Sequence, residues 1–395
     1  METNEIKVLD STHIANTYAR YDLCIKSGKG ATCVDNDGKT YIDLGSGIGV
    51  NSLGYCDEDW TKAVTEQVNT LQHISNLYYH EVGVKLAQKL CEITGYKKVF
   101  FGNSGAEANE GAIKVARKYS FDKYGQGRSK IITLVNSFHG RTVTTLSATG
   151  QDVFHNFFFP FTEDFVYTPA NDVEALEKTV ADNKDTVCAI MLEFIQGEGG
   201  VMPLEKGFVQ AIDKICKQND ILLVADEVQT GVGRTGKFLA SEHFGVTPDI
   251  TTLAKGLGGG LPIGAVLLGE KVESTLGSSH HGTTFGANPV VCAGALAVLE
   301  KVANEEFLNQ VTQKGEFIRE FLSLVGEVES ISGLGLMLGI KLKSKTASDV
   351  VKRAIEYGII PLTAKDRVRL LPPLNITQAE LVKAMNILCE VLLKK

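Results

Sequence analysis

The chain has 395 residues, of which 44% are apolar and 22% are charged, and its formal net charge is −7. These proportions are those of a globular protein and exclude a disordered, fibrous or coiled-coil chain. The acidic balance argues against nucleic acid as the main partner. Because no run of 18 uncharged apolar residues is present, we expect no membrane span.

The N-terminal region predicts short strands. The stretch ATCVDNDGKTYIDL is typical of a hairpin, since a polar Asp-Asn-Asp-Gly turn separates two apolar runs. A glycine-rich loop, GSGIGVNSLGY, follows it. The first ten residues have neither a basic region ahead of an apolar stretch nor an Arg-rich, acid-poor composition, so we expect no secretory or organelle signal.

Helical and strand patterns alternate from about residue 60 to residue 290. The strand-like runs are VFFGN, KIITLVN, VCAIMLEF, ILLVADE and AVLLGE, and amphipathic helical stretches lie between them. Two of these runs, VCAIMLEF and ILLVADE, are apolar on successive residues, as in strands covered on both faces. The alternation predicts an α/β fold with a mostly parallel sheet wrapped by helices.

The remaining chain mixes helices with short strands such as MLGIKL and VRLLP, which indicates a second, smaller α+β unit. We therefore predict three segments along the chain. Residues 1–50 form the N-terminal part of a small domain, residues 51–290 form a large domain, and residues 291–395 form the C-terminal part of the small domain.

The eight cysteines are scattered and include no C-x-x-C pair. Several lie in apolar runs, which favours reduced, partly buried thiols over disulfides or a zinc site. With no targeting signal, this pattern predicts a cytoplasmic protein without a bound metal.

One glycine-rich segment suggests a nucleotide site. Residues 231–236, GVGRTG, match G-x-G-x-x-G, and Lys237 extends them towards a P-loop. However, Phe238 stands where a P-loop has Ser or Thr, and the segment neither follows a strand directly nor opens a helix at once. We interpret it as a glycine-rich loop and keep a nucleotide-binding NTPase or dehydrogenase as an alternative.

Other residues together meet the needs of pyridoxal phosphate chemistry. Such a site needs a Schiff-base lysine, an acid beside the pyridine nitrogen, a phosphate site and a flat surface for the ring. Asp226 ends the strand ILLVADE, and Lys255 lies in DITTLAKGLGGGLP, where glycines allow a close approach. Taken singly, the first is equally typical of a turn and the second of a loop, so a protein without a cofactor stays an alternative.

The phosphate site is predicted at a helix N-terminus. Ser104, Gly105 and Ala106 follow the strand VFFGN and open an amphipathic helix whose free N–H groups favour an anion. Phe138 follows the strand KIITLVN and could stack on a ring, and Arg141 could bind a carboxylate through two hydrogen bonds.

Together these motifs resemble the class III (omega-amino-acid) pyridoxal phosphate aminotransferases. The matching segments are NSGAEANEGAIKVAR, FHGRT, LEFIQGEGG, ADEVQTGVGRTG, TLAKGLGGGLPIGA, GTTFGANPV and VRLLPPL, in the family's order and over nearly the whole chain. The resemblance implies fold type I: a large cofactor domain, a small domain made of both chain ends, and a homodimer.

The resemblance also implies the roles of individual residues. Lys255 would carry the cofactor, Asp226 would pair with the pyridine nitrogen, and Gln229 would contact the phenolic oxygen side of the ring. The remaining cofactor contacts would come from the phosphate-binding Ser104, Gly105 and Ala106, from Phe138 stacked on the ring, and from Thr284, which would reach the partner subunit's phosphate.

Within the class, the sequence is most similar to the acetylornithine aminotransferases. The resemblance then implies that Arg141 binds one substrate carboxylate and Arg369 the second carboxylate of glutamate. Glu193 would pair with Arg369 when the substrate has only one carboxylate. Succinylornithine, ornithine and 4-aminobutyrate aminotransferases are the alternatives, and Tyr18 matches by its spacing a tyrosine that recognises the α-amine of ornithine.

Two positions depart from the family pattern. Phe194 stands where proline is usual after Glu193, and Tyr55 stands where histidine is usual. Neither is expected to take part in chemistry.

Overall fold

A computed structural model describes residues 1–394, so Lys395, the last residue of the predicted C-terminal segment, lies outside the described residues. The N-terminal region contains one longer helix, three short strands and one helical turn. They are α1 (Thr3–His13), β1 (Ile25–Lys29), β2 (Thr32–Asp35), β3 (Thr40–Asp43) and α2 (Ser46–Gly49).

The central region alternates helices and strands, as its sequence pattern predicts. Its elements are α3 (Glu58–Thr70), α4 (Glu81–Thr94), β4 (Lys98–Gly102), α5 (Gly105–Tyr124), β5 (Lys130–Leu134), α6 (Val143–Ala148), β6 (Phe165–Thr168), α7 (Val173–Asp182), β7 (Val187–Leu192), β8 (Ile195–Gln196), β9 (Met202–Pro203), α8 (Lys206–Asn219), β10 (Leu222–Asp226), α9 (Ser241–Phe244), β11 (Ile250–Leu253) and β12 (Gly264–Leu268).

The C-terminal region begins with two long helices and continues with strands and two further helices. Its elements are α10 (Pro289–Val302), α11 (Glu305–Ser323), β13 (Val328–Leu334), β14 (Met337–Leu342), α12 (Ala347–Glu356), β15 (Ile359–Ile360), β16 (Leu362–Ala364), β17 (Arg367–Leu370) and α13 (Gln378–Leu393).

Seven strands of the central region form one sheet, in the order β4-β12-β11-β10-β7-β5-β6. β12 runs antiparallel to both of its neighbours, and the other pairs are parallel. Every residue of β7, β10, β11 and β12 is buried, because helices cover both faces. The predicted α/β fold with a mostly parallel sheet is therefore confirmed, and the sheet has seven strands.

Two smaller four-stranded sheets accompany the large one. The first has the order β1-β2-β3-β15, so that the N-terminal hairpin is extended by a strand near the other end of the chain, with Ile42 opposite Ile359. The second has the order β13-β14-β17-β16 and is antiparallel throughout. The domain boundaries given above remain a prediction.

The large sheet determines where the functional side chains meet. The parallel strands β4, β5, β7, β10 and β11 end at one edge, and the loops that follow them carry most of the predicted site residues.

Within residues 1–394, no helix combines the length and hydropathy required to cross a bilayer. All eight cysteines are free.

Candidate active site

A cavity of about 460 Å³ opens at this edge of the sheet. Its wall includes nine of the residues predicted from the sequence, and these come from the loops after five different strands. They are Ser104, Gly105, Ala106, Phe138, Arg141, Glu193, Asp226, Gln229 and Lys255. The fold thus assembles in one place residues that are distant in sequence.

Lys255 follows β11 and has a left-handed backbone conformation, with φ of 42°. A residue other than glycine adopts this conformation at a cost, and such strain is common at functional sites. Removal from solvent lowers the pKa of the Lys255 amine, against the opposing influence of the Glu198 carboxylate. A lowered pKa favours the neutral amine that forms an imine.

Asp226, at the end of β10, is held by a network of buried polar groups. Its Oδ2 lies 2.8 Å from His139 Nδ1 and accepts a hydrogen bond from Asn109 Nδ2 at 2.7 Å. Its Oδ1 accepts from the Val228 backbone at 3.1 Å, and Asn109 Oδ1 in turn accepts from Thr252 Oγ1 at 2.8 Å. The carboxylate therefore has a fixed direction.

Sequence reasoning gave no role to Asn109 or His139, although both lie within the motifs it used. Asn109 is in the first turns of α5, in NSGAEANEGAIKVAR, and His139 is in FHGRT. Both residues are far from Asp226 in sequence and approach it only in the folded sheet, so no local pattern could have predicted these contacts.

The opposite end of the cavity is the N-terminus of α5. Ser104 is the N-cap, and its Oγ accepts a hydrogen bond from Glu107 N at 3.1 Å. The following backbone N–H groups are free to bind an anion. A Cβ atom on Gly264 would lie 2.2 Å from the Ser104 carbonyl oxygen, so this turn needs a glycine opposite it.

Phe138 and Arg141 line the side of the cavity. The Phe138 backbone donates to Glu193 Oε2 at 2.9 Å, and its ring meets Phe154 edge to face at 6.0 Å. The Arg141 guanidinium lies 4.1 Å from the centre of the Phe154 ring and 5.6 Å from that of Phe138. Despite these contacts with the two rings, the Arg141 side chain is exposed, so an entering ligand can reach it.

Arg369 pairs with Glu198 and not with Glu193, the partner predicted from the sequence. Arg369 Nη1 lies 2.5 Å from Oε1 of Glu198 and 3.3 Å from Oε1 of Gln229. Glu193 instead accepts hydrogen bonds from the Phe138 and Gly197 backbones, which turn its carboxyl group away from an ion pair with β17. Arg369 itself is 3% exposed, so its ionic partner must come from this same buried region.

The two glutamates also differ in charge state. Burial raises the pKa of Glu193 to about 7. At Glu198, burial also opposes ionisation, but the charge and hydrogen bond of Arg369 outweigh it and lower the pKa below its ordinary value. Glu198 is therefore the better counter-ion.

Three predicted residues do not line the cavity of this chain: Tyr18, Thr284 and Arg369, which donates a hydrogen bond to the lining residue Gln229. Tyr18 is 70% exposed, beside the guanidinium of Arg20. Thr284 is also exposed, in the loop between β12 and α10.

The two departures from the family pattern have structural roles. The Tyr55 hydroxyl donates to Oδ2 of the buried Asp43 at 2.8 Å. Phe194 is fully buried and stacks on Phe244, with ring centres 5.0 Å apart. Both side chains therefore pack in places where the usual histidine or proline would make different contacts.

The donor set fits pyridoxal phosphate. The lining of the cavity includes an amine with a lowered pKa, a fixed carboxylate, an aromatic ring and a helix N-terminus. Lys255 and Asp226 are suited to the two polar ends of the pyridine ring, and Ser104, Gly105 and Ala106 to its phosphate.

Comparisons with known proteins agree with this chemistry. The chain is 53% identical over 393 residues to an acetylornithine aminotransferase of Haemophilus ducreyi, covering 99% of each chain. A solved N-acetylornithine aminotransferase of Stenotrophomonas maltophilia has a TM-score of 0.84 at 36% identity and 97% coverage of both chains.

A solved ornithine aminotransferase of Toxoplasma gondii, described with partial occupancy of PLP at its active site, has a TM-score of 0.93 at 33% identity. The match covers 99% of this chain and 94% of that one. The family model Aminotransferase class-III matches residues 13–392. The chain therefore belongs to the class III aminotransferases, as its motifs predicted.

Proposed function

We propose that the chain is a pyridoxal phosphate enzyme that transfers the distal amine of N2-acetylornithine to 2-oxoglutarate, giving N-acetylglutamate semialdehyde and glutamate. The observation that carries the proposal is the near full-length identity of 53% to a protein named acetylornithine aminotransferase. This reversible reaction would serve arginine biosynthesis, and the free cysteines favour a reducing, cytoplasmic setting.

When bound, pyridoxal phosphate would supply an aldehyde that takes up the amine and a ring that accepts an electron pair. Asp226, fixed by Asn109 and His139, would keep a negative charge beside the ring nitrogen. Lys255 Nζ would take the proton from the substrate carbon that bears the amine and deliver it within the same half-reaction, which regenerates the neutral amine, and the second half of the cycle would reverse this transfer. Burial lowers the pKa of Lys255, which favours the neutral amine that acts as a base.

The other contacts would hold and cover the reacting groups. Ser104, Gly105 and Ala106 would bind the phosphate, Phe138 would cover one face of the ring, and Gln229 would lie on the side of the ring's phenolic oxygen. These assignments use the positions of the side chains around the cavity.

Two arginines would recognise the two substrates. Arg141 would bind the single carboxylate of acetylornithine or one of the two carboxylates of glutamate. Arg369 would bind the second carboxylate of glutamate. When acetylornithine occupies the site, Glu198 would keep Arg369 neutralised, which avoids an unpaired buried charge. Glu198 takes this role in place of Glu193.

We also propose a homodimer in which Thr284 reaches the partner's cofactor phosphate. The segment Leu77-Tyr78-Tyr79 is highly exposed, at 87%, 65% and 101%, and Phe285 is 60% exposed. Asn76 Nδ2 donates to the Gly286 carbonyl at 3.0 Å, so these apolar groups lie beside Thr284. A contiguous apolar surface of this kind is typical of an interface.

The substrate is tested by comparing kcat/KM for N2-acetylornithine, N2-succinylornithine, ornithine and 4-aminobutyrate, with 2-oxoglutarate as the acceptor. We expect the highest value for acetylornithine. A preference for ornithine would instead support the alternative in which Tyr18 contacts a free α-amine.

The attachment lysine is tested separately. Lys255→Ala should abolish the visible absorbance of the lysine-bound cofactor and lower kcat by roughly 10²–10⁴-fold, because the proton-transfer group is lost. Lys237→Ala, which removes an exposed lysine after the GVGRTG segment, is the matched control and should keep the visible absorbance and the wild-type kcat. Survival of the absorbance in Lys255→Ala would reject the assignment.

A further inference from the structure

The GVGRTG segment contains a buried arginine that the proposed chemistry does not use. Arg234 is 2% exposed, and its Nη1 donates to the carbonyl oxygens of Leu336 at 3.0 Å and Pro372 at 2.6 Å. The Leu336 N–H donates back to the Arg234 carbonyl at 3.0 Å. The segment after β10 is thus bonded to two separate points of the C-terminal region.

These two points lie at one end of the strand pair that includes Arg369. Leu336 immediately precedes β14, and Pro372 lies just after β17. β14 and β17 pair antiparallel, with Gly339 opposite Arg369. One guanidinium group therefore binds both strands of the pair that supports Arg369.

The loop after β10 also contacts the side chain of Arg369 directly, just ahead of the GVGRTG segment. Gln229 lies at the start of the loop, and its Oε1 accepts from Arg369 Nη1 at 3.3 Å. The loop thus contacts the Arg369 guanidinium through Gln229 and the surrounding strands through Arg234.

Backbone packing leaves little freedom between the two parts. Gly335 has φ of 51°, and a Cβ atom there would lie 2.5 Å from the Thr235 carbonyl carbon. The loop and the β13–β14 turn therefore touch directly. A shift of either one would be transmitted to β14 and, through its pairing, to Arg369.

The charge of Arg234 is itself unusual at this place. Burial lowers its pKa to about 9, against the opposing charge of Asp43, and its Nη2 has no hydrogen-bond partner among residues 1–394. A buried charge is costly, and fixing a unique arrangement is one function that such groups serve.

We propose that Arg234 is a positioning residue that holds β14 and β17 in register with the loop after β10, so that Arg369 is aimed at the second carboxylate of the dicarboxylic substrate. The proposal rests on the proposed function, in which Arg369 recognises that carboxylate. It assigns the GVGRTG segment to substrate selection.

The test compares Arg234→Met and Arg234→Lys with the wild-type holoenzyme. Misplacement of a binding group by about 1 Å can cost on the order of 100-fold, so Arg234→Met should raise the KM for 2-oxoglutarate and the Kd of glutarate by about 10- to 100-fold. The KM for acetylornithine should change by less than about threefold, since that substrate does not need Arg369. Arg234→Lys keeps the charge and should give a smaller change of the same kind.

The matched control is Arg319→Met. Arg319 also donates to two carbonyls, those of Ile331 at 2.8 Å and of Gly333, but it joins α11 to β13 without contacting the loop after β10. It should lower the Tm and leave the two KM values in their wild-type ratio. A double-mutant cycle with Arg369→Ala should show that Arg234→Met has no further effect on glutarate binding.

Equal changes in both KM values, or the same selective change in Arg319→Met, would overturn the proposal. If Arg234→Met does not fold, Arg234→Lys decides the question by the same ratio. Binding of glutarate to the holoenzyme, measured by calorimetry, does not depend on turnover. If the wild type proves inactive with acetylornithine, that result counts against the proposed function alone, and the calorimetry still tests the role of Arg234.

Discussion

Glu193 and Glu198 lie in one short segment, LEFIQGEGG, yet only the second meets Arg369. The sequence shows two acidic residues near a predicted strand end and an arginine far along the chain. Which carboxylate faces β17 depends on the β8–β9 turn and on its packing against β14, where Gly339 would place a Cβ atom 3.0 Å from the Gly200 carbonyl. That contact is tertiary, so the sequence could predict the arginine but not its partner.

Replacing Glu198 should therefore separate the two half-reactions. In Glu198→Gln, Arg369 loses its counter-ion whenever acetylornithine is bound, and we expect kcat/KM for acetylornithine to fall by about tenfold or more. The value for glutamate should change less, because its second carboxylate would still pair with Arg369. Single-turnover kinetics with each amine donor would measure both.

The matched variant is Glu193→Gln. Among residues 1–394, the Glu193 carboxylate accepts hydrogen bonds from the Phe138 and Gly197 backbones and pairs with no arginine, so its loss should affect both donors alike. A selective loss with acetylornithine in Glu193→Gln, and none in Glu198→Gln, would restore the original interpretation.

Other residues of the site were easier to predict because their signal is local. Asp226 ends an apolar run and Ser104 opens an amphipathic helix, so strand and helix patterns alone place them at the sheet edge. Asn109 and His139 could not be predicted, since their role is a contact with Asp226 across the sheet.

At the scale of elements, the sequence predicted the strands better than their directions. The apolar runs before Glu193, Asp226 and Lys255 are all strands of the sheet. β12 is equally apolar and fully buried, but it runs antiparallel to its neighbours. A run buried on both faces has no alternation, so nothing in it indicates direction.

The loop after β10 shows why its nucleotide motif misleads. The helix α9 begins only at Ser241, after the glycines. Gly233 and Gly236 have positive φ, and Cβ atoms on them would lie within 2.6 Å of Val302 and 2.2 Å of Thr312. The glycines thus allow close packing against α10 and α11.

The same loop contains a buried carboxyl group that should make stability depend on pH. Burial raises the pKa of Glu227 from 4.5 to about 7, although it accepts hydrogen bonds from Ala240 N, Ser241 N and Thr230 Oγ1. Between pH 4.5 and 7 the folded state binds more protons than the unfolded state. The contribution of Glu227 to the stability of the folded state is therefore full below pH 4.5 and is lost as the pH rises through 7.

Urea unfolding at pH 5 and pH 8 would measure this effect. Between pH 5 and pH 8 the unfolding free energy of the wild type should fall relative to that of Glu227→Gln, because glutamine does not titrate. Glu174→Gln, at an exposed position in the first turn of α7, should leave the wild-type pH dependence intact. A constant difference between wild type and Glu227→Gln at both pH values would contradict the expectation.

At the scale of the whole molecule, the alternation of elements predicted the α/β class, which the seven-stranded sheet confirms. The pairing of β3 with β15 joins an N-terminal strand and a C-terminal strand in one sheet. No local pattern could predict that pairing, because two short apolar segments far apart in sequence have many possible partners.

The proposed homodimer can be tested through its exposed apolar segment. Leu77→Asp should give a monomer in light scattering and a large loss of activity, because a charge would be buried against the partner. Leu324→Asp is the matched control, since Leu324 is also 87% exposed but lies at the end of α11. A dimer that persists in Leu77→Asp would reject this surface as the interface.

The pairing of β3 with β15 has a consequence for biosynthesis. During translation, the strands of the large sheet emerge before β15 exists, so the N-terminal hairpin must leave the ribosome with the outer edge of β3 open. Open strand edges recruit other chains, and distant contacts form slowly. The nascent protein is thus most in need of chaperone protection between completion of β12 and synthesis of β15.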